Sequence, residues 1–201
     1  VLHLLAVAAE AGVDFTLNDI DKLSRTTPNI CKVAPSSGFH LQDVNRAGGI
    51  LSIMGELERS GLIDTSVGRV DYKILGEALK EWDLMSKSLS PEALNTWKSA
   101  PSGVKTPEGG FGTDEYREPD TDRASGCIRD VAHAYSPDGG LAVLYGNIAR
   151  NGCIVKTAGV DPSLLRFSGP ALVFESQESA VDGILSGKVK PGDAVVIRYE
   201  G

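Results

Sequence analysis

The sequence predicts an α/β chain in two parts: an α/β stretch over residues 1–89, then, past an irregular connection over 90–137, a mostly β stretch over 138–201. Three observations predict it. Apolar residues recur at helical spacing through most of the first 89 residues. From 90 to 137, Pro91, Pro101, Pro107, Pro119 and Pro137 alternate with Gly103, Gly109, Gly110 and Gly112, and no periodicity survives. Beyond that lie four short β-rich runs, "LAVLYGN", "GCIVKTAGV", "PALVFES" and "DAVVIRYE", separated by Gly, Pro and Asp.

Each element has a local reason. Leu2, Leu5, Ala6 and Ala9 step along one helix face, and Gly12 suits the left-handed residue that ends a helix. Thr16 with Asp19 resembles a capping pair for a helix over 17–25, and Pro28 stops it. "ICKVAP" predicts a short strand ending at Pro35, and Ser36, Ser37 and Gly38 a turn. Leu41, Val44, Ala47, Leu51, Met54 and Leu57 predict the longest helix, with Gly61 just past its end. Gly48 and Gly49 stand inside it, at a cost of roughly 1 kcal/mol each against alanine, which a close backbone approach would explain. "GRVDYKILGEALKEW" reads as a short strand leading into a helix. In the last third, Ser176 can cap a helix over "QESAVDGILSG", and "KPGD" marks a turn.

With 201 residues and 41% apolar composition, the chain can bury a core as one medium domain or two small ones. A net charge of −7 argues against a nucleic-acid footprint. No apolar run approaches the ~20 residues that span a bilayer. Three cysteines without close spacing fit a reducing compartment, so a soluble cytoplasmic protein is expected. The chain opens on Val1 within a helical pattern and closes on a strand, and both ends read as cut, so an internal piece of a longer protein is expected.

The chemistry-bearing residues are scattered. Cys31, Cys127 and Cys153 contain no C-x-x-C pair; they read as structural thiols, or as thiolates converging from distant segments on an iron–sulfur cluster. His3 reads as a structural helix residue, and His133 shares no spacing with it. His40 lies in a polar turn with Ser36 and Ser37 before a long helix, where it faces either a ligand or its own helix N-terminus. "GILSGKVKPGD" is one residue short of a phosphate loop and has Val189 after the lysine, so it reads as a helix end and a turn. Asp114, Glu115, Glu118, Asp120 and Asp122 do not follow a calcium-loop pattern and read as a solvated acidic loop. Lys156 and Asp161 flank "TAG" at a strand end, as a substrate- or metal-facing tip or an ordinary strand edge.

Six blocks in order, "CKVAPSS", "HLQDVNRAGGI", "GELERSGLID", "GCIVKTAGVD", "GPALVFESQ" and "GDAVVIRYEG", together resemble dihydroxy-acid dehydratase in its long bacterial form, and "RASGCIRDVAHAYSPDGGLAVLYGN" is similar to the insertion-bearing stretch of that form. The resemblance implies the end of a parallel-sheet α/β domain followed by the start of a swivelling β-barrel (β/β/α) domain, with substrate between them. It implies dehydration of 2,3-dihydroxy-carboxylic acids to 2-keto acids on the route to valine and isoleucine. The family uses an iron–sulfur cluster as Lewis acid toward the departing hydroxyl, a magnesium ion on the carboxylate and 2-hydroxyl, and a serine alkoxide as base. The motifs for all three lie outside this chain, so none of its residues is assigned a catalytic or metal-ligating role. Ser36, Ser37 and His40 are candidates for the wall of the active site. A homodimer is implied for the parent enzyme. The alternatives are a sugar-acid or 6-phosphogluconate dehydratase, which would favour added cationic groups where the turn "PSSGFH" offers none, though Lys32 and Arg46 flank it, and a folded, non-catalytic domain piece.

Overall fold

The computed structural model describes residues 1–100 and 115–200. They form two compact units, Val1–Gly159 and Val160–Gly201.

In the first unit, α1 (Leu2–Glu10) and α2 (Leu17–Thr26) form where the apolar spacing predicts them. The Asp19 carboxylate accepts from the Thr16 N–H at 2.9 Å and from its hydroxyl at 2.7 Å, closing the predicted cap. The single long helix predicted from Leu41 is instead two, α3 (Leu41–Arg46) and α4 (Gly49–Arg59). Gly48 breaks it with φ +98°, a left-handed conformation that costs other residues strain. A Cβ there would stand 2.0 Å from Ser52 Oγ and 2.8 Å from Leu84 Cβ, which is the close approach expected of these glycines.

Two predicted strands are absent. "ICKVAP" contributes only one isolated pairing, Cys31 with Ile128, next to that of Asn29 with Ser136. The Ser37 hydroxyl donates to the Lys32 carbonyl at 2.8 Å and the Ala34 N–H to the Phe39 carbonyl at 2.7 Å, so the chain turns back before a ladder extends. "GRVDYK" finds no partner strand; Arg69 forks onto Asp71 at 2.7 and 2.6 Å, and the segment runs straight into α5 (Leu75–Trp82). Conversely, the stretch predicted to be irregular from 90 onward begins with α6 (Pro91–Lys98). Ser90 Oγ accepts from Ala93 N–H at 3.0 Å, and Pro91 occupies the first turn, where its missing N–H costs nothing.

Two apolar clusters fill this unit. Val44, Ala47, Cys127 and Ile128 form one, with Cys31, Val33, Phe39 and Ile53 packed against it. Leu84, Ala93 and Trp97 form the other, where Trp82 meets Trp97 edge to face at 6.0 Å. Between α4 and α5 lies a buried ionic cluster. Arg123, 8% exposed, donates from Nε to Glu56 Oε1 at 2.9 Å and from Nη2 to the Ala47 carbonyl at 3.0 Å. Arg59 reaches Glu56 at 2.8 Å and Asp83 at 2.5 Å, and Ser52 Oγ donates to Asp83 at 3.0 Å while accepting from Leu84 N–H. Burial alone would lower the Arg59 guanidinium, but its hydrogen bonds to Glu56 and Asp83 prevail and hold it above its ordinary value.

Strands β1 (Leu141–Leu144) and β2 (Cys153–Lys156) pair antiparallel, Leu141 opposite Lys156, and lie against α2. Ser24 Oγ donates to the Leu141 carbonyl at 2.7 Å, and Asp21 accepts from Val143 N–H at 3.0 Å. The second unit is a β–α–β element. β3 (Ala171–Phe174) and β4 (Ala194–Ile197) run parallel, Ala171 opposite Ala194, as a crossover through α7 (Gln177–Leu185) permits. Ser176 caps α7, accepting from Ser179 N–H at 3.1 Å. The "GILSGKVKPGD" stretch is, as predicted, a helix end and a turn, closed by Lys188 N–H donating to the Gly183 carbonyl at 2.9 Å.

The chain is therefore mixed α/β with two small two-stranded sheets. Among the described residues there is no closed barrel, and residues 1–89 hold no parallel sheet, because the apolar faces there pack helix to helix. The four β-rich runs pair two and two rather than as one sheet. Among the described residues no helix is long and apolar enough to cross a membrane.

Candidate functional site

The "CKVAPSS" turn and the β2 end of the antiparallel pair wall a cleft of about 290 Å³ within the first unit. Asn29, Cys31, Lys32 and Ser36 line one side, Lys156 and Ala158 the other. Local hydrogen bonds hold the first wall. Ser37 spends its hydroxyl on the Lys32 carbonyl and accepts from Phe39 N–H at 3.2 Å, while Ser36 N–H donates to the Val33 carbonyl at 3.0 Å. The second wall turns at Gly140, whose carbonyl accepts from Thr157 and Ala158 N–H at 2.8 and 3.1 Å. Gly140 has φ +73°, and a Cβ there would stand 2.5 Å from Ala158 Cβ, so only glycine lets the two segments close. The walls meet at Ser36, whose Oγ would stand 2.8 Å from a Cβ on Gly159.

Of the three predicted wall residues, Ser36 lines the cleft. Ser37 lies behind it as a turn brace. His40 is the exposed residue that precedes α3, where its N–H donates to Asp43 at 2.6 Å. Lys156 lines the cleft, whereas the Asp161 carboxylate accepts from Ser163 N–H and hydroxyl at 2.8 and 2.7 Å. His133 Nδ1 meets Asp130 at 2.7 Å, and His3 is exposed on α1. Asp114 lies outside the described residues. In the rest of the acidic loop Glu115, Glu118 and Asp122 are exposed, as a solvated loop requires, while the backbone is tied down: Tyr116 N–H donates to the Lys98 carbonyl at 2.7 Å and Asp120 N–H to that of Arg46 at 2.9 Å.

The cleft offers two ammonium groups, a hydroxyl, an amide and a thiol, and no carboxylate lines it. Lys32 also sits over the Tyr135 ring, 5.7 Å from its centre. Such a set suits a small anionic ligand bearing hydroxyls. Among the described residues no three His, Cys, Asp or Glu side chains gather to hold a metal ion. Cys153 is exposed on β2, and the described residues bring together no ligand set of the kind an iron–sulfur cluster or a magnesium ion takes.

Sequence spacing missed one association altogether. Cys31 and Cys127, remote in the chain, are neighbours across the Cys31–Ile128 bridge, and the Cys127 thiol donates to the Lys32 carbonyl at 4.0 Å. The neighbouring Cys127 side chain, working against burial, draws the Cys31 thiol below its ordinary value. The same contact, then burial, pushes Cys127 up. No short motif could have announced the pair, because the 127 segment reaches Cys31 only through tertiary packing.

Two family models match the chain. Residues 1–78 match the N-terminal part of the dihydroxy-acid/6-phosphogluconate dehydratases, and residues 126–201 match the C-terminal part. Together they account for about three quarters of its length, and each cleft wall falls inside one of them.

Proposed function

Because the chain belongs to the dihydroxy-acid/6-phosphogluconate dehydratase family, a family of hydro-lyases, we propose that it serves the dehydration of short 2,3-dihydroxy-carboxylic acids, such as 2,3-dihydroxyisovalerate, to 2-keto acids in valine and isoleucine synthesis. The observation that carries this reading is the small cleft with Lys32 and Lys156 on opposite walls and Ser36 between them. One carboxylate and two hydroxyls match that donor set. A phosphorylated sugar acid would call for more cationic groups, arginine above all, and no arginine lines the cleft. The "CKVAPSS" and "GCIVKTAGVD" blocks, which supply these walls, support the same branch of the family.

Lys32 and Lys156 bind and orient the acid in this reading, and Asn29 and Ser36 meet its hydroxyls. In the complete enzyme an iron–sulfur cluster and a magnesium ion would supply the Lewis acid for the leaving group, and a serine the base for the C2 proton, on segments of a longer, homodimeric, cytoplasmic protein. The motifs for those groups are not in this sequence, so this chain by itself binds without turning over.

The test compares substrates in the complete enzyme after anaerobic reconstitution with iron, sulfide and magnesium. Dehydration of 2,3-dihydroxyisovalerate is expected at least ~100-fold more efficient than that of 6-phosphogluconate, a difference of about 2.7 kcal/mol in transition-state stabilisation; the reverse preference moves the protein to the other branch. Lys32→Ala and Lys156→Ala are expected to raise KM about tenfold each with kcat nearly unchanged, the signature of a residue that binds substrate and transition state alike. This chain alone should stay colourless and inactive under the same reconstitution. Charge-transfer bands that vanish on replacing Cys31, Cys127 or Cys153 would instead make those thiols cluster ligands.

A further inference from the structure

Cys31 and Cys127 stand 96 positions apart in sequence, yet a backbone bridge and a shared apolar cluster make them neighbours. Cys31 pairs with Ile128, Arg129 N–H donates to the Ile30 carbonyl at 2.8 Å, and Cys127 Sγ lies 4.0 Å from the Lys32 carbonyl. In a regular ladder, residues one step apart point to opposite faces. The Cys31–Ile128 pairing is an isolated bridge rather than a pleated ladder, so that alternation is not imposed, and Cys31 packs against the apolar cluster that holds Cys127. Backbones one ladder step apart also fall within the Cα separation of roughly 4.4–6.8 Å that a disulfide requires.

The two thiols differ in access. Cys31 is half-buried and opens onto the cleft, whose lining includes Lys32 and Lys156. Cys127 is 0% exposed, packed with Val44, Ala47 and Ile128. A small oxidant can therefore reach Cys31, and Cys127 lies behind it. Thiolate character favours the same order, since the neighbouring Cys127 holds the Cys31 thiol below its ordinary value.

We propose that Cys31 and Cys127 form a redox-active pair, in which a peroxide entering the cleft oxidises Cys31 and Cys127 resolves it to a reversible disulfide. The Cys31 thiolate attacks one peroxide oxygen, the O–O bond breaks, and the departing hydroxide takes a proton to leave as water. The Cys127 sulfur then gives up its proton and attacks the Cys31 sulfenic acid; the S–O bond breaks and a second water leaves. Two thiols and one hydrogen peroxide become one disulfide and two waters, the sulfurs losing two electrons and the peroxide gaining them. A dithiol reductant reverses the change by thiol–disulfide exchange. Oxidation clips the Asn29–Ser36 wall to the 126–129 segment and changes the reach of Lys32, so it adjusts the cleft without touching any metal.

The experiment needs no substrate and no cofactor, so it stands whether or not the dehydratase reading does. The chain is treated with one equivalent of hydrogen peroxide, alkylated with N-ethylmaleimide, digested without reductant and analysed by mass spectrometry. The expected result is a cross-linked Cys31–Cys127 peptide pair lighter by two hydrogens, loss of both sites from the alkylated pool, retention of Cys153 there, and full reversal by dithiothreitol. A Cys127→Ala variant should stall at the sulfenic acid, giving a dimedone adduct on Cys31, while Cys153→Ser should leave the cross-link unchanged. Cys31 and Cys127 both remaining alkylatable while Cys153 or methionine takes up the oxygen would overturn the proposal. So would cross-links found only between chains. The wild-type measurement decides the matter even if the Cys127 variant fails to fold.

Discussion

Residues 1–159 enclose charge, whereas residues 160–200 enclose almost nothing but one aromatic ring. In the first unit Glu56, Asp83 and Arg123 are all under a tenth exposed and lie among two apolar clusters. In the second, Phe174 and Ala180 are the buried apolar side chains among the described residues, and its ion pair, Arg198 with Glu175, stands in solvent. Val173, Val195, Val196 and Ile197 on its strands are exposed, and so are Ile184 and Leu185 of α7. The contrast shows two ways of specifying structure. The first unit excludes wrong packings because a misplaced buried charge is expensive; the second relies on shape where α7 crosses β3 and β4.

The sharpest way to break that contrast is to remove one ion from the buried cluster. Arg123→Ala takes a donor from Glu56 and from the Ala47 carbonyl at once. A loss of about 3–5 kcal/mol is expected, as for other half-broken buried pairs. Urea unfolding followed by the fluorescence of Trp82 and Trp97, which both lie in the first unit, measures it. A loss below about 1 kcal/mol would mean that Arg59 alone satisfies Glu56.

The second unit should fail through packing instead. A Cβ on Gly183 would stand 2.6 Å from the Phe174 ring, so Gly183→Ala forces the helix off the strand. Overpacking of this kind costs typically about 1–3 kcal/mol, read as faster amide hydrogen exchange in β3, α7 and β4. Adding Phe174→Leu makes room and should recover part of the protection, a coupling that two independent sites would not show. If exchange is unchanged by Gly183→Ala, the Phe174 contact does not hold this unit together.

What the sequence made legible follows the same division between local and distant causes. Caps and breaks are written within four residues, so Thr16 with Asp19, Ser176 with its helix, and the glycines at 48 and 49 were readable, although the glycines split a helix that periodicity alone joins. Strand pairing depends on a partner elsewhere, so "ICKVAP" looked like a strand and became a single bridge. Ser90 and Pro91 announce a helix, but the many prolines and glycines after them masked that signal. The cleft was half-legible: Ser36 and Lys156 stood out as polar groups at a turn and a strand end, yet their meeting depends on Gly140 and Gly159 allowing two walls to touch. Arg123 gave no sign of burial, because the acidic run before it reads as solvated, and nothing local marks Glu56 as its partner.

Asp122 and Arg123 set the two regimes side by side in adjacent residues, one fully solvated and one buried. The Asp122 carboxylate accepts from the Ser125 hydroxyl and from the Ser125 and Ala124 N–H groups at 2.9 Å, which lowers its pKa to about 2. The folded value is thus depressed below the unfolded one of roughly 3.9. Its contribution to folding is then complete above about pH 4 and fades as the pH falls toward 2, because the unfolded chain binds the proton first. Side-chain carboxyl NMR should show Asp122 titrating near 2, and Asp122→Asn should remove that part of the acid sensitivity while leaving the Arg123–Glu56 contact in place. The effect on stability should be smaller than that of Arg123→Ala or Gly183→Ala, since solvent screens an exposed carboxylate. Titration near the ordinary aspartate value would mean that the turn over 122–126 opens in solution, and the buried arginine beside it would then have to be held by Glu56 and Ala47 without help from its own loop.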